Sequence, residues 1–253
     1  ESNSGHPGGS LSAIDILTYL YFEAMNIDPK NPHDPDRDRL VMCKGHAAPA
    51  LYTSLALRGY FDPNELLTLR KLGSRLQGHP DTRKLPGVDA STGSLGQGLS
   101  IANGMALAAK LDEKDYFVYA ILGDGETQEG QVWEALMTAS HYQLNNVIAF
   151  LDYNHLQIDG RIEDVKSGGN FASRFRSFGW HVLEIDGHDF KAIDEAVKAA
   201  KQELYAPSMI IAHTVKGKGV SFMEGQVGWH GKAPNQEETK EALRLLGAVE
   251  EEV

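Results

Sequence analysis

Cysteine is nearly absent: Cys43 stands alone among 253 residues, so no intrachain disulfide can form, and a reducing, cytoplasmic setting is expected. Long apolar runs are missing too. None approaches the ~18 residues of a membrane-spanning helix, and Glu1-Ser2-Asn3-Ser4-Gly5-His6-Pro7 has neither the basic nor the apolar region of a signal peptide. Positive charge is scarce. Lys and Arg total 24 against 35 Asp and Glu, a formal charge of -11, and no run of Lys or Arg forms the footprint of a nucleic-acid or anionic-membrane binder. Hydrophobic residues at 42% and charged residues at 23% exclude disorder as the whole explanation. No linker, repeat or low-complexity stretch divides the chain, which reads as one unit over 1–253: a helical, loop-rich part (1–94), βα units (95–235) and a C-terminal helix (236–253).

Glycine, by contrast, is abundant at 26 residues, and five of the ten histidines touch one: Gly5-His6, Gly45-His46, Gly78-His79, Gly187-His188 and His230-Gly231. Such histidines sit in tight loops where backbone and imidazole can both approach a ligand. A single one is most simply a solvated loop residue. Five together point to a site.

Hydrophobic spacing organises the rest. Leu11, Ile14, Leu17, Tyr21 and Met25 recur at helical intervals behind Ser10, a candidate cap. The proline-rich stretch Asn26 to Asp38 is a loop. A second helix is expected over Ala47 to Leu57, and Asp62-Pro63-Asn64-Glu65 opens a third to about Leu72. Gly73 to Gly93 is polar and aperiodic, a length of loop usually kept for function. A helix rich in small residues follows from Leu95 to Lys110. Four strand-like runs come next, Tyr116 to Leu122, Val147 to Leu151, His181 to Ile185 and Met209 to Ala212, with helical patterns at Val132 to Tyr142 and Ile193 to Leu204. That spacing predicts an α/β fold, a parallel sheet with helices on both faces. A last amphipathic helix covers Glu237 to Leu246.

Ligands of such sheets bind beyond the carboxyl ends of the strands. There the sequence sets Gly123-Asp124-Gly125 after the first run and Asn154 after the second. A carboxylate, an amide oxygen and a nearby carbonyl are hard ligands suited to Mg²⁺ or Ca²⁺, and the glycines would admit a diphosphate. Asp-Gly and Asn are also ordinary turn residues at such places. Lys216-Gly217-Lys218-Gly219 could aid an anion or form a solvated loop, while Trp133 and Phe150 read as packing residues.

Five motifs in register carry a resemblance. Ser4-Gly5-His6-Pro7-Gly8, Lys44-Gly45-His46-Ala47, Gly78-His79-Pro80, Thr92-Gly93-Ser94-Leu95-Gly96-Gln97-Gly98 and Gly123 through Gly130, followed by Asn154, occur in the order seen in transketolases. The similarity runs from Ser4 to Pro234. It implies the thiamine diphosphate-binding (PP-type) domain of that family, with Mg²⁺ (or Ca²⁺ or Mn²⁺ in its place) held by Asp124, Asn154 and the Leu156 carbonyl. It further implies His46, Gly93, Leu95, Gly123, Gly125 and His230 at the cofactor, and His6, His79 and His230 facing the donor sugar. Glu129 and Glu134 would belong to a subunit-interface network.

The implied chemistry is transfer of a two-carbon ketol unit from a ketose phosphate to an aldose phosphate through a carbanion and enamine on the cofactor. Histidines with ordinary pKa values near 6.5 would move the protons. The resemblance also implies a second, pyrimidine-binding domain that supplies the activating glutamate. No segment here is left over to form it. The expectation is the N-terminal subunit of a split transketolase, working with a C-terminal subunit; the resemblance implies an α2β2 heterotetramer. The rivals are a subunit of another thiamine diphosphate enzyme, such as a 1-deoxyxylulose-5-phosphate synthase or a specialised ketolase, and a non-catalytic regulatory subunit.

Overall fold

In the computed structural model, which describes residues 2–248, the elements run α1 (Pro7–Tyr19), β1 (Arg39–Met42), α2 (Ala48–Arg58), α3 (Gly98–Leu111), β2 (Val118–Gly123), α4 (Gly130–His141) and β3 (Val147–Tyr153). A small hairpin of β4 (Leu156–Gln157) and β5 (Gly160–Arg161) follows, then α5 (Ile162–Lys166), α6 (Phe171–Ser177), β6 (His181–Asp186), α7 (Phe190–Gln202), β7 (Ser208–His213) and α8 (Gln236–Leu245). Five strands form one parallel sheet in the order β1-β2-β3-β7-β6. The chain thus leaves β3 for the far edge and returns to fill the gap with β7. A crevice at such a reversal of strand order is where α/β sheets take ligands.

Alternation along the strands builds two cores. Tyr119, Ile121, Ile148, Phe150 and Ile210 pack with α1, α2 and α7 on one face. Val118, Ala120, Leu122, Val147, Ala149, Leu151, Met209 and Ile211 pack with α3, α4 and α6 on the other. A sheet buried on both faces needs continuous apolar strands, and β2 and β3 supply them. The expected α/β fold with helices on both faces is what forms. Trp133, packed against Phe175 and Phe178, and the fully buried Phe150 serve packing, as expected.

Several local expectations change. The N-terminal third is not helical throughout, because Arg39–Met42 pairs with β2 as an edge strand too short for its alternation to stand out. The first helix starts at Pro7, whose fixed φ suits a first turn, and Ser10 lies buried inside it rather than capping it. Asp62 does cap its turn by accepting the Asn64 N–H at 2.9 Å. The segment nevertheless stops as a 3-10 turn over Pro63–Thr68, since none of its residues is fully buried: Leu66 and Leu69 pack only partly against the core, while Leu67 and Leu72 face solvent. The small-residue helix begins at Gly98 instead of Leu95. The β4–β5 hairpin and α5 and α6 had no counterpart in the sequence pattern. Of the C-terminal segment expected over 236–253, residues 249–253 lie outside the described residues, as does Glu1.

The proline-rich loop is tied to the sheet by Asp38, which is buried and accepts the N–H groups of Asn26 and Phe117, each at 2.8 Å. Asp38→Ala leaves these two part-buried N–H groups without their acceptor and should cost about 1–3 kcal/mol, which lowers Tm by roughly 2–12 °C for a chain of this size. Calorimetric scanning checks this; an unchanged Tm would show that the loop is not held there.

Candidate active site

Four parallel strand ends converge on one cavity. In register, Gly123 of β2 lies beside Asp152 of β3, and Asp152 beside Ala212 of β7. The next residues therefore emerge together: Asp124 after β2, Asn154 after β3 and Lys216 beyond β7. Lys44, just after β1, joins them from the other side. The cavity has a volume of about 280 Å³, and its walls include Gly9, Lys44, His46, Leu95, Asp124, Asn154, Lys216 and His230. Gly123, Gly125, Glu129 and Leu156 line it too.

His6 adjoins this group through its ring. The imidazoles of His6, His46 and His230 form a triangle with centroids 5.1, 5.5 and 5.1 Å apart. His79 and Gly93 stand outside the cavity wall, stacked closely on each other: a Cβ at Gly93 would lie 2.7 Å from the His79 ring. Glu134 faces solvent on α4, whereas Glu129 is at the cavity, so the two glutamates do not share one location.

The floor is a charged network. Asp152 is fully buried and is contacted by the Lys44 ammonium, by Ser12 Oγ at 2.5 Å and by Thr214 Oγ1. Burial pushes its pKa up, but the Lys44 charge and these hydrogen bonds outweigh that and hold it below the usual carboxylate range. Lys44 also donates to the Gly9 carbonyl at 2.9 Å. Asp124, also buried, accepts the N–H groups of Gly125 at 2.7 Å and His155 at 2.6 Å. Burial, followed by repulsion from Asp152, raises its carboxyl to about 7. A buried carboxylate in that state gains from a cation beside it.

Such a cation would find further oxygen. Asn154 Oδ1 faces the turn, accepting the Leu156 N–H at 3.1 Å, and the Leu156 carbonyl accepts from Lys216 Nζ at 3.0 Å. No three His, Cys, Asp or Glu side chains converge as a metal site among the described residues. A mixed set of carboxylate, amide and carbonyl oxygens is the chemistry of a hard divalent cation completed by phosphate oxygens and water. The residues fit such a group.

Lys44, Lys216, Glu126 and Asp152 are the site residues that motif reading missed or left open. Lys216 is not a solvated loop residue but 2% exposed. Burial and then Lys44 lower its pKa to about 8, and its Nζ also lies 2.9 Å from His230 Nδ1. Glu126, buried, accepts the N–H groups of Gly96 at 3.0 Å and Gly123 at 3.1 Å. It thereby fixes the loop carrying Leu95 against the end of β2. The signal for these residues was adjacency, since each lies within two residues of a quoted motif or inside one.

The histidines depart from their ordinary pKa. Burial first, then Lys44, drives His46 down to about 2, and burial and Lys216 drive His230 to about 4. His6 and His79 are also lowered, by burial and then Arg70. At neutral pH the cluster is uncharged, not poised near 6.5. These rings act as neutral acceptors and donors in a cavity whose positive charge comes from lysine.

A family model described as "Transketolase, thiamine diphosphate binding domain" matches residues 1–252. The chain is 50% identical over 243 residues to the 6-deoxy-6-sulfo-D-fructose transketolase subunit SqwG of Clostridium sp. (strain MSTE9), covering 96% of this chain and 88% of that one. It is 43% identical to a subunit of the apulose-4-phosphate transketolase of Phocaeicola vulgatus, covering 96% and 86%. The crystal structure of transketolase from Campylobacter jejuni superposes with a TM-score of 0.91 at 38% identity, covering 97% of this chain but 40% of that chain. The chain thus spans about two fifths of the length of the solved transketolases it matches. With its sheet, strand-end cavity and sequence in agreement over nearly their whole length, this chain belongs to the transketolase family, as its thiamine diphosphate-binding domain.

Proposed function

We propose that this chain is the diphosphate- and metal-binding subunit of a two-subunit transketolase, transferring a two-carbon ketol unit from a ketose to an aldose. The observation that carries the reading is the mixed-charge cavity at the β3–β7 switch. Two buried ammonium groups and a set of hard oxygen ligands meet there, the complement of a diphosphate and its divalent cation.

In this reading Asp124, Asn154 and the Leu156 carbonyl hold Mg²⁺, for which Lys216 gives up its bond to that carbonyl. Lys44, Lys216, His46 and His230 face the diphosphate, and Leu95 and Gly93 lie along the rings. When bound, thiamine diphosphate supplies the nucleophilic carbon that no side chain here offers. The protein's own part is to orient and to manage protons. His6, His79 and His230, neutral at pH 7, accept or donate hydrogen bonds at the sugar hydroxyls and carry a proton between them. Glu129 belongs to the contact with a second subunit, which supplies the pyrimidine-binding half and closes the cavity against water. An α2β2 assembly provides two such closed sites. No helix among the described residues is long and apolar enough to cross a membrane.

The names of the relatives differ in their sugars, so the donor is tested rather than assumed. Xylulose 5-phosphate and 6-deoxy-6-sulfo-D-fructose are the first two to compare, each with ribose 5-phosphate as acceptor. The chain alone should give no product with thiamine diphosphate and Mg²⁺, and activity should appear when a separately encoded pyrimidine-binding subunit is added. Turnover by the lone chain overturns the split arrangement.

Asp124→Ala should abolish measurable affinity for Mg²⁺ and thiamine diphosphate in the assembled enzyme while the chain still folds, with Tm lowered by only several degrees for the two N–H groups, of Gly125 and His155, that lose their acceptor. Titration calorimetry reads the first and a thermal melt the second; unchanged affinity removes Asp124 from the metal site. His6→Ala and His79→Ala should each lower kcat/KM for the donor by roughly 10²-fold or more, the scale of a proton-transfer group. Cofactor affinity should hold. A parallel fall in both would reassign these histidines to the cofactor.

A further inference from the structure

Of the five glycine-flanked histidines, His188 is the one to which the proposed function gives no role. It sits in the turn after β6, and both ring nitrogens are engaged: Nε2 accepts the Val215 N–H at 2.9 Å, and Nδ1 lies 2.7 Å from Asp15 Oδ2. An accepting Nε2 leaves the ring proton on Nδ1, so the imidazole donates to the Asp15 carboxylate. Partners at both ends fix the ring.

Asp15 lies on α1 seven residues, about two turns, beyond Gly8, and hence on the same helix face. The Gly8 carbonyl accepts the Gly217 N–H at 3.0 Å. A Cβ at Gly8 would stand 3.0 Å from Lys216 Cγ, so α1 runs directly along the Lys216 stem. The two residues that flank Lys216 therefore hang from one face of α1, Gly217 directly and Val215 through His188. Between them Lys216 reaches inward to Leu156 and His230.

A long, flexible ammonium side chain beside a second buried lysine has every reason to turn out to water. We infer that His188 is a positioning residue: held by Asp15, it fixes the Val215 N–H and thereby keeps the Lys216 ammonium inside the cavity. The consequence for catalysis rests on the cofactor reading above. The clasp itself does not, so its test uses no cofactor and fails independently of that reading.

The full chain is acetylated with limiting acetic anhydride, and each lysine is scored by mass spectrometry. Wild-type Lys216 and Lys44, each 2% exposed, should be protected while exposed Lys191 reacts. In His188→Ala, Lys216 should react roughly fivefold faster, the effect of losing one hydrogen bond that keeps the segment closed. Lys44 should stay protected. His188→Gln, whose Oε1 can occupy the place of Nε2, should restore protection; His188→Asn, too short to do so, should not. Asp15→Ala, a change at a partly exposed helix position, is the second variant should His188→Ala not fold, and it should expose Lys216 in the same selective way. Lys216 as protected as in wild type in the folded variants overturns the inference. So does a parallel rise at Lys44, which would mean general loosening.

Discussion

Lys44 and Asp152 meet beneath the cavity, and the placing of α1 and of the ends of β1, β3 and β7 around it rests on that buried contact. Taking two charges out of water is costly, and the cost is offset only if each finds further partners. Here the partners come from everywhere: Ser12 and the Gly9 carbonyl from α1, Thr214 from the end of β7, Lys44 itself from the end of β1. The pair thus gathers four separate parts of the chain at one point. Apolar packing aligns the strands, but it would tolerate small slides along them; a buried ion pair with directional hydrogen bonds does not.

The same network sets the character of the histidines. Burial disfavours the charged ring and the two buried ammonium groups add repulsion, so His46 and His230 are held neutral. Charge and proton handling are therefore divided between residue types. Lysine carries the field that suits an anion, while imidazole stays free to accept or donate a hydrogen bond. Sequence reading, which assigned these rings their ordinary basicity, could not foresee this, because the shift arises first from burial and then from lysine charges that only the folded chain turns into the same cavity.

Legibility followed the length of the signal. The four long strands, the helices between them and their common polar edge could be read from period and spacing, since each spans enough residues for burial to impose a pattern. Arg39–Met42 could not, being four residues long at a sheet edge. In the site, Asp124, Asn154, His46 and Leu95 were legible because they sit in motifs. Lys216 and Glu126 were not, since a lysine in a glycine-rich turn and a glutamate after Asp-Gly look like solvent-facing residues until the fold buries them. Asp152 escaped because it stands inside an apolar strand, where a charge has meaning only once its partner is known. His188 was noticed by composition yet has its role only through α1, more than 170 residues earlier.

The strand order also bears on how the molecule is made. β6 has a single neighbour in the sheet, β7, which follows it in the chain. During synthesis from the N-terminus, β1, β2 and β3 can pair as they emerge, whereas β6 must wait unpaired until residues 208–213 have left the ribosome. Only then does β7 close against β3, bringing Thr214 to Asp152 and Lys216 to the cavity. A nascent chain that stops short of that point leaves β3 open along one side and the cavity without its Lys216 wall, so the cavity is completed in the same late event that covers the β3 edge.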